Sequence, residues 1–108
     1  MSQILLVFTN CPNPAVADTI ARTLVSEQLA ACVNVLAACQ SYYQWQGDLC
    51  QEQEVPLLMK TTASSYPALE ARLRELHPYE LPEIVAVDVA RGLPAYLDWV
   101  ATQSRRAE

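Results

Sequence analysis

Residues 30–62 read AACVNVLAACQSYYQWQGDLCQEQEVPLLMKTT, and the fold turns on how this stretch is arranged. Gly47-Asp48 is its only glycine-centred turn signal, and strand-like alternation lies on both sides of it. Before the turn, Ser41, Tyr43 and Trp45 alternate with Tyr42, Gln44 and Gln46; after it, Val55, Leu57 and Met59 share one face. The pattern predicts a hairpin whose two strands each run about twelve to sixteen residues, the first of them bent near Leu36 to Cys39. Pro56 has no amide proton to give a ladder, so a bulge or an unpaired edge is expected there.

Such a hairpin is too long for its own domain. A chain of 108 residues folds to a globule roughly 34 Å across, whereas a fourteen-residue strand at ~3.3 Å per residue spans about 46 Å. The tip, with Tyr42, Tyr43, Trp45 and Leu49, overhangs, and an isolated ribbon buries too little surface to offset its ordering. Pairing with further copies of the chain would bury those rings and satisfy the open strand edges. The alternative is a strand that breaks near Leu36 to Cys39 and folds back as two short strands.

Working outward, Gln3 to Thr9 is a short apolar run stopped by Asn10-Cys-Pro-Asn-Pro14, a buried first strand. Asn13 is a good helix N-cap, Pro14 suits the first helical position, and Val16, Ala17, Ile20, Ala21 and Leu24 recur at helical spacing to about Gln28. Ser64 or Ser65 caps a second helix carrying Tyr66, Leu69, Leu73 and Leu76, which ends at His77-Pro78 because a residue before proline leaves the helical region. Ile84 to Val89 is a fourth strand, and Pro94 opens a last helix with Tyr96, Leu97, Trp99 and Val100. The order βαββαβα predicts an α+β fold of the ferredoxin-like, split βαβ type: an antiparallel sheet with two helices on one face, a long central hairpin and an extra C-terminal helix. Residues 1–104 form a single domain and 105–108 a polar tail. The second sheet face, with Tyr43 or Trp45 and Val55, Leu57 and Met59, is left uncovered.

Composition narrows the function. Apolar residues make up 52% and charged ones 18%, which excludes a disordered chain. Seven basic against twelve acidic residues give a net charge of -5, and the one basic pair is Arg105-Arg106, so a nucleic-acid role is disfavoured. No stretch reaches the ~20 apolar residues of a membrane helix, and Met1-Ser2-Gln3 leads straight into the first strand, so a cytoplasmic protein is expected. Cys11, Cys32, Cys39 and Cys50 contain no Cys-x-x-Cys pair and are read as reduced thiols, most of them small buried side chains. Catalysis has little support: there is no glycine-rich phosphate loop, no placeable Ser-His-Asp set, and no arginine in the loop between the first strand and the first helix.

Five tracts resemble one family: Leu29-Ala-Ala-Cys-Val-Asn-Val35, Ser41-Tyr-Tyr-Gln-Trp-Gln-Gly47, Lys60-Thr-Thr62, His77-Pro-Tyr-Glu-Leu-Pro-Glu-Ile84 and Tyr96-Leu-Asp-Trp99 are similar to the CutA divalent-cation tolerance proteins. The resemblance implies a homotrimer like the PII signalling proteins, with hairpins packed between subunits. It also implies a link to copper and other divalent metals, with weak metal binding, no required cofactor and no established catalysis. Family members that bind copper are thought to use a cysteine ending the first strand and histidines before the Pro-Tyr pair. Here those positions hold Thr9 and Leu76, and His77 alone remains, with Cys32 as the thiol partner by family position.

Two sets of candidate site residues follow. His77, the only histidine, takes a metal with a thiolate such as Cys32, or else its ring caps the last helix carbonyls. Cys11 is the cysteine expected to be exposed, and Cys39 and Cys50 are structural or incidental. The second set is Trp45, Lys60, Tyr79, Glu80 and Glu83. In a trimer these line an intersubunit cleft where a small anionic ligand meets the lysine, as in a PII-like sensor signalling to a protein partner, or they form a plain interface.

Overall fold

In the computed structural model, which describes residues 3–105, β1 (Ile4–Cys11) runs through the sheet, its buried Val7, Thr9 and Cys11 alternating with half-buried Leu6, Phe8 and Asn10. Of the expected tail, Arg106, Ala107 and Glu108 lie outside the described residues. The cap of α1 (Pro14–Ser26) is as expected: Asn13 Oδ1 accepts the Val16 amide at 2.9 Å, and Ala17, Ile20 and Leu24 are buried. This helix stops two residues short of the expected Gln28, which instead adopts the left-handed region at φ 59° and turns the chain back.

The remaining elements are β2 (Cys32–Val35), β3 (Cys39–Trp45), β4 (Asp48–Thr62), α2 (Tyr66–Leu76), β5 (Val85–Asp88) and α3 (Pro94–Gln103). The sheet order is β2-β4-β1-β5 with every neighbouring pair antiparallel, and β3 continues the ladder along β4 beyond β2. This is the split βαβ arrangement, with five strands in place of four because the second one is interrupted. Helices α1 and α2 close one face around Val7, Ile20, Leu24, Leu57, Met59, Leu69 and Leu73.

That core corrects one assignment. Val55, Leu57 and Met59 face the helices and are buried, so they are not the uncovered side. The other face carries Leu6, Phe8, Leu58 and Lys60, together with Val85 and Val87, which are half exposed at 50% and 49%. Only one end of it is covered within the described residues, where α3 brings Val100 onto Ile4 and Ala31.

The hairpin is extended, as its length demands, and the long axis of the molecule is 45 Å. Its first strand does break near Leu36, yet it does not fold back. Val35 faces Leu57 and Cys39 faces Glu54, so Leu36, Ala37 and Ala38 stand opposite Val55 and Pro56 alone. The expected bulge therefore occurs, with its extra residue on the strand facing Pro56. The Pro56 carbonyl accepts the Leu36 amide at 2.9 Å, so the side of Pro56 lacking a donor is the side where the ladder slips.

Ser65 holds the N-cap position of α2, but its side chain makes no capping bond; its hydroxyl donates to the Ser104 carbonyl and ties α2 to the end of α3. One buried polar atom has no partner among the described residues: the hydroxyl of Thr9, which is 1% exposed. Replacing it by a methyl of the same shape removes an uncompensated desolvation cost. Thr9→Val is expected to stabilise the fold by about 1 kcal/mol, read as a higher urea midpoint at unchanged slope; a lower midpoint would mean that the hydroxyl is satisfied.

Candidate functional site

The site is organised by the end of β1. Asn10 stands opposite Pro56 on β4 and lies beyond the last β1–β5 pair, Phe8 with Val85, so its carbonyl points where no strand remains to meet it. His77 meets it instead. Pro78 ends α2, the His77 backbone turns extended, and its ring, in a residue 5% exposed, donates from Nε2 to the Asn10 carbonyl at 2.7 Å. The Tyr79 amide donates to Nδ1 at 3.2 Å. Both ring nitrogens are thus used by a neutral imidazole protonated on Nε2. The ring bonds across to β1 and does not cap the last carbonyls of its own helix.

Tyr79, whose ring centroid is 4.6 Å from that of His77, is aimed by this latch. Its hydroxyl donates to Glu54 Oε2 at 2.9 Å, and Asn10 Nδ2 donates to Glu83 Oε1 at 3.3 Å. Burial first, then the bond to Glu54, push the Tyr79 phenol well above the ordinary tyrosine range. Between the hairpin and the segment 79–83 lies a cleft of about 600 Å³ walled by Tyr43, Trp45 and Tyr79, with Glu54, Glu80 and Glu83 among its lining.

Trp45, Tyr79, Glu80 and Glu83 all line this cleft within one protomer, where the expectation was a cleft between subunits. Lys60 is not with them in the protomer. It lies six residues along β4 from Glu54, roughly 20 Å away at strand spacing, and its ammonium donates to Asn34 Oδ1 at 2.6 Å. Asn10 and Glu54 were missed by sequence reasoning. Glu54 had a signal: it directly precedes the Val55-Pro56 pair where the hairpin enters the core.

Cys32 lies beside Lys60, Sγ 3.9 Å from Nζ, and Lys60 faces Leu6, four residues along β1 from the Asn10 that holds His77. The structure does not bring Cys32 and His77 together. An imidazole with both nitrogens in hydrogen bonds and a thiol beside an ammonium do not fit a resident copper centre, and no group of three His, Cys, Asp or Glu suited to a metal exists among the described residues. Thr9 points into the core and Leu76 packs against it.

The family model described as CutA1 divalent ion tolerance protein matches residues 5–103. The chain belongs to the CutA1 family. A relative from Thermus thermophilus, named divalent-cation tolerance protein CutA, is 47% identical over 100 residues, covering 93% of this chain and 95% of that one. The solved Cut A1 structure from that organism superposes with a TM-score of 0.92 at 45% identity, covering 94% and 99% of the two chains. Mouse protein CutA is 45% identical over 93 residues, 86% of this chain and 52% of the mouse protein, so the chain spans about half the length of that relative. A structure described as PII-like protein CutA from Nostoc sp. PCC 7120 has a TM-score of 0.89 at 40% identity, over 95% of this chain and 99% of that one. CutA1 is a family named for divalent-cation tolerance and is not a known enzyme family. No helix among the described residues is long and apolar enough to cross a membrane.

The cysteines reverse the expected pattern of exposure. Cys11 is fully buried, while Cys39 is exposed and Cys32 and Cys50 are half-buried. Burial and then the nearby Glu54 carboxylate push the Cys11 thiol up to about 11. An unfolded chain releases that proton from about 9.0 upward, so the neutral thiol costs stability as pH rises between the two values. Cys39 is expected to react with a disulfide reagent in the native protein at pH 8 while Cys11 reacts only after denaturation; native labelling of Cys11 would contradict its burial.

His77→Ala removes two buried hydrogen bonds and is expected to destabilise the fold by about 2–4 kcal/mol. Its copper affinity, measured by titration on protein shown by circular dichroism to be folded, is expected to equal that of the parent. A tenfold loss would make the histidine a ligand.

Proposed function

We propose that this chain serves divalent-cation tolerance as a non-enzymatic homotrimer, with the cleft as a PII-like sensor that binds a small ligand and reports it to a protein partner. The cleft carries the reading: it is a recess of ligand size whose walls are set by hydrogen bonds from buried or half-buried groups. The names of the Thermus relative and the Nostoc neighbour support the two halves of this role. Non-enzymatic action is supported by the chemistry of the lining, which holds no histidine, cysteine or lysine, and by the engagement of both nitrogens of His77.

Assembly is supported by what one protomer leaves exposed. Tyr42 and Leu49, on the hairpin face turned away from Tyr43 and Trp45, are 66% and 75% exposed, and Val85 and Val87 stand on the uncovered sheet face. Three subunits around one axis can bury the sheet faces inside while each hairpin lies along a neighbour. Four unpaired thiols favour a reducing, cytoplasmic setting, whereas a neighbour from Archaeoglobus fulgidus is described as periplasmic.

Native mass spectrometry at micromolar concentration is expected to give three times the mass of the chain, with no metal retained after purification without added metal. A monomer would overturn the assembly. Val87→Asp, on the uncovered face, is expected to shift the population toward monomer while Val25→Asp, exposed on α1, leaves it trimeric; equal effects would separate the interface from the sheet.

A further inference from the structure

The charge of the cleft specifies its ligand more closely, on the reading that the cleft is a ligand site. Its lining contains Glu54, Glu80 and Glu83 and no lysine, arginine or histidine. The sole lysine of the chain is held at Asn34, far along β4. An anion would meet three carboxylates without a compensating cation from the same protomer. A hard metal ion asks for six or more converging oxygens, and these side chains form no metal-ligating group among the described residues.

What remains fits an organic cation. Indole and phenol rings present a negative face, and a cation within ~6 Å of a ring centroid is attracted by about 0.5–2 kcal/mol. Tyr43 and Trp45, which share one face of β3, and Tyr79 place three such rings along this one recess. The carboxylates are also positioned. Glu54, 7% exposed, takes the Tyr79 hydroxyl on Oε2, and Glu83 takes the Asn10 amide on Oε1. A carboxylate has about four acceptor directions, so each retains capacity for a charged N–H donor. Tyr79 keeps its proton because burial and Glu54 oppose its ionisation, so its ring is a neutral wall. We propose that the cleft binds a small organic ammonium or guanidinium compound, its charge between Glu54 and Glu83 and its body against the Trp45 and tyrosine rings.

The test uses the intact protein carrying Trp99→Phe, which leaves Trp45 as the only indole of the chain's two. Choline and butylguanidinium are titrated by calorimetry and Trp45 fluorescence beside butylurea, a neutral near-isostere, and pentanoate, an anion of similar length. At least one cation is expected to bind tenfold or more tightly than both comparators. Trp45→Ala and Glu83→Gln are each expected to weaken that binding at least tenfold, the glutamine keeping an acceptor for Asn10. Butylurea binding within twofold of butylguanidinium, with choline no tighter, would overturn the inference. Pentanoate binding preferentially, and lost in Trp45→Ala, would overturn the cation but leave the sensor standing. Silence toward all four probes would overturn both.

Discussion

The missing amide proton of Pro56 is the constraint around which the rest of the molecule is arranged. On one side of it β4 is a central strand, paired with β1 through Val55–Thr62 and with β2 through Leu57–Lys60, and it supplies Val55, Leu57 and Met59 to the core. On the other side β4 pairs with β3 alone, from Asp48 to Glu54. The register slips by one residue at the junction, where the ladder has no donor to lose. A bulge increases local twist and re-aims the strand. The hairpin can therefore leave the sheet at the point where β1 ends, and Glu54 becomes the first carboxylate beyond the core.

From that junction the site is built by few hydrogen bonds. Asn10 contributes twice: its carbonyl holds the His77 ring, and its side-chain amide holds Glu83. His77 in turn receives the Tyr79 amide, and the Tyr79 hydroxyl reaches Glu54. One residue at the end of β1 thus orients both the segment after α2 and, through it, the wall facing the hairpin. Each bond contributes on the order of 1 kcal/mol net, but a buried donor or acceptor left unpaired costs more than a bond gains. The consequence is cooperative placement, since losing the imidazole strands a carbonyl and an amide together.

Element order and the capped start of α1 were legible because Asn13-Pro14 and the apolar spacing after it act locally. The overhang was legible because strand length is set by covalent geometry. The facing of β4 was not: Val55, Leu57 and Met59 were recognised as one row, but alternation does not say which face the helices cover. Cys11 was misjudged for a similar reason. It was read as part of a loop because Asn10 and Pro12 are turn formers, whereas β1 continues through it to pair with Val55. Trp45, Tyr79, Glu80 and Glu83 could be grouped by chemistry alone. Lys60 could be grouped with them only in the absence of a register, which puts it beside Cys32 and Asn34.

That register also bears on how a member of a cation-tolerance family can work without an evident chelating centre among the described residues. Lys60 is fixed beside the one thiol that family position favours, where its charge opposes a metal ion. Its removal from the hairpin leaves the acidic residues of the cleft without a basic neighbour in the protomer. The carboxylates form no metal-ligating group among the described residues and share the lining with aromatic rings, an arrangement suited to spreading attraction over a bulky cation more than to closing a shell around a small one. Thr9 and Leu76, which stand where the resemblance implies a cysteine and a histidine, are no part of the cleft lining, so a cation bound there does not depend on them.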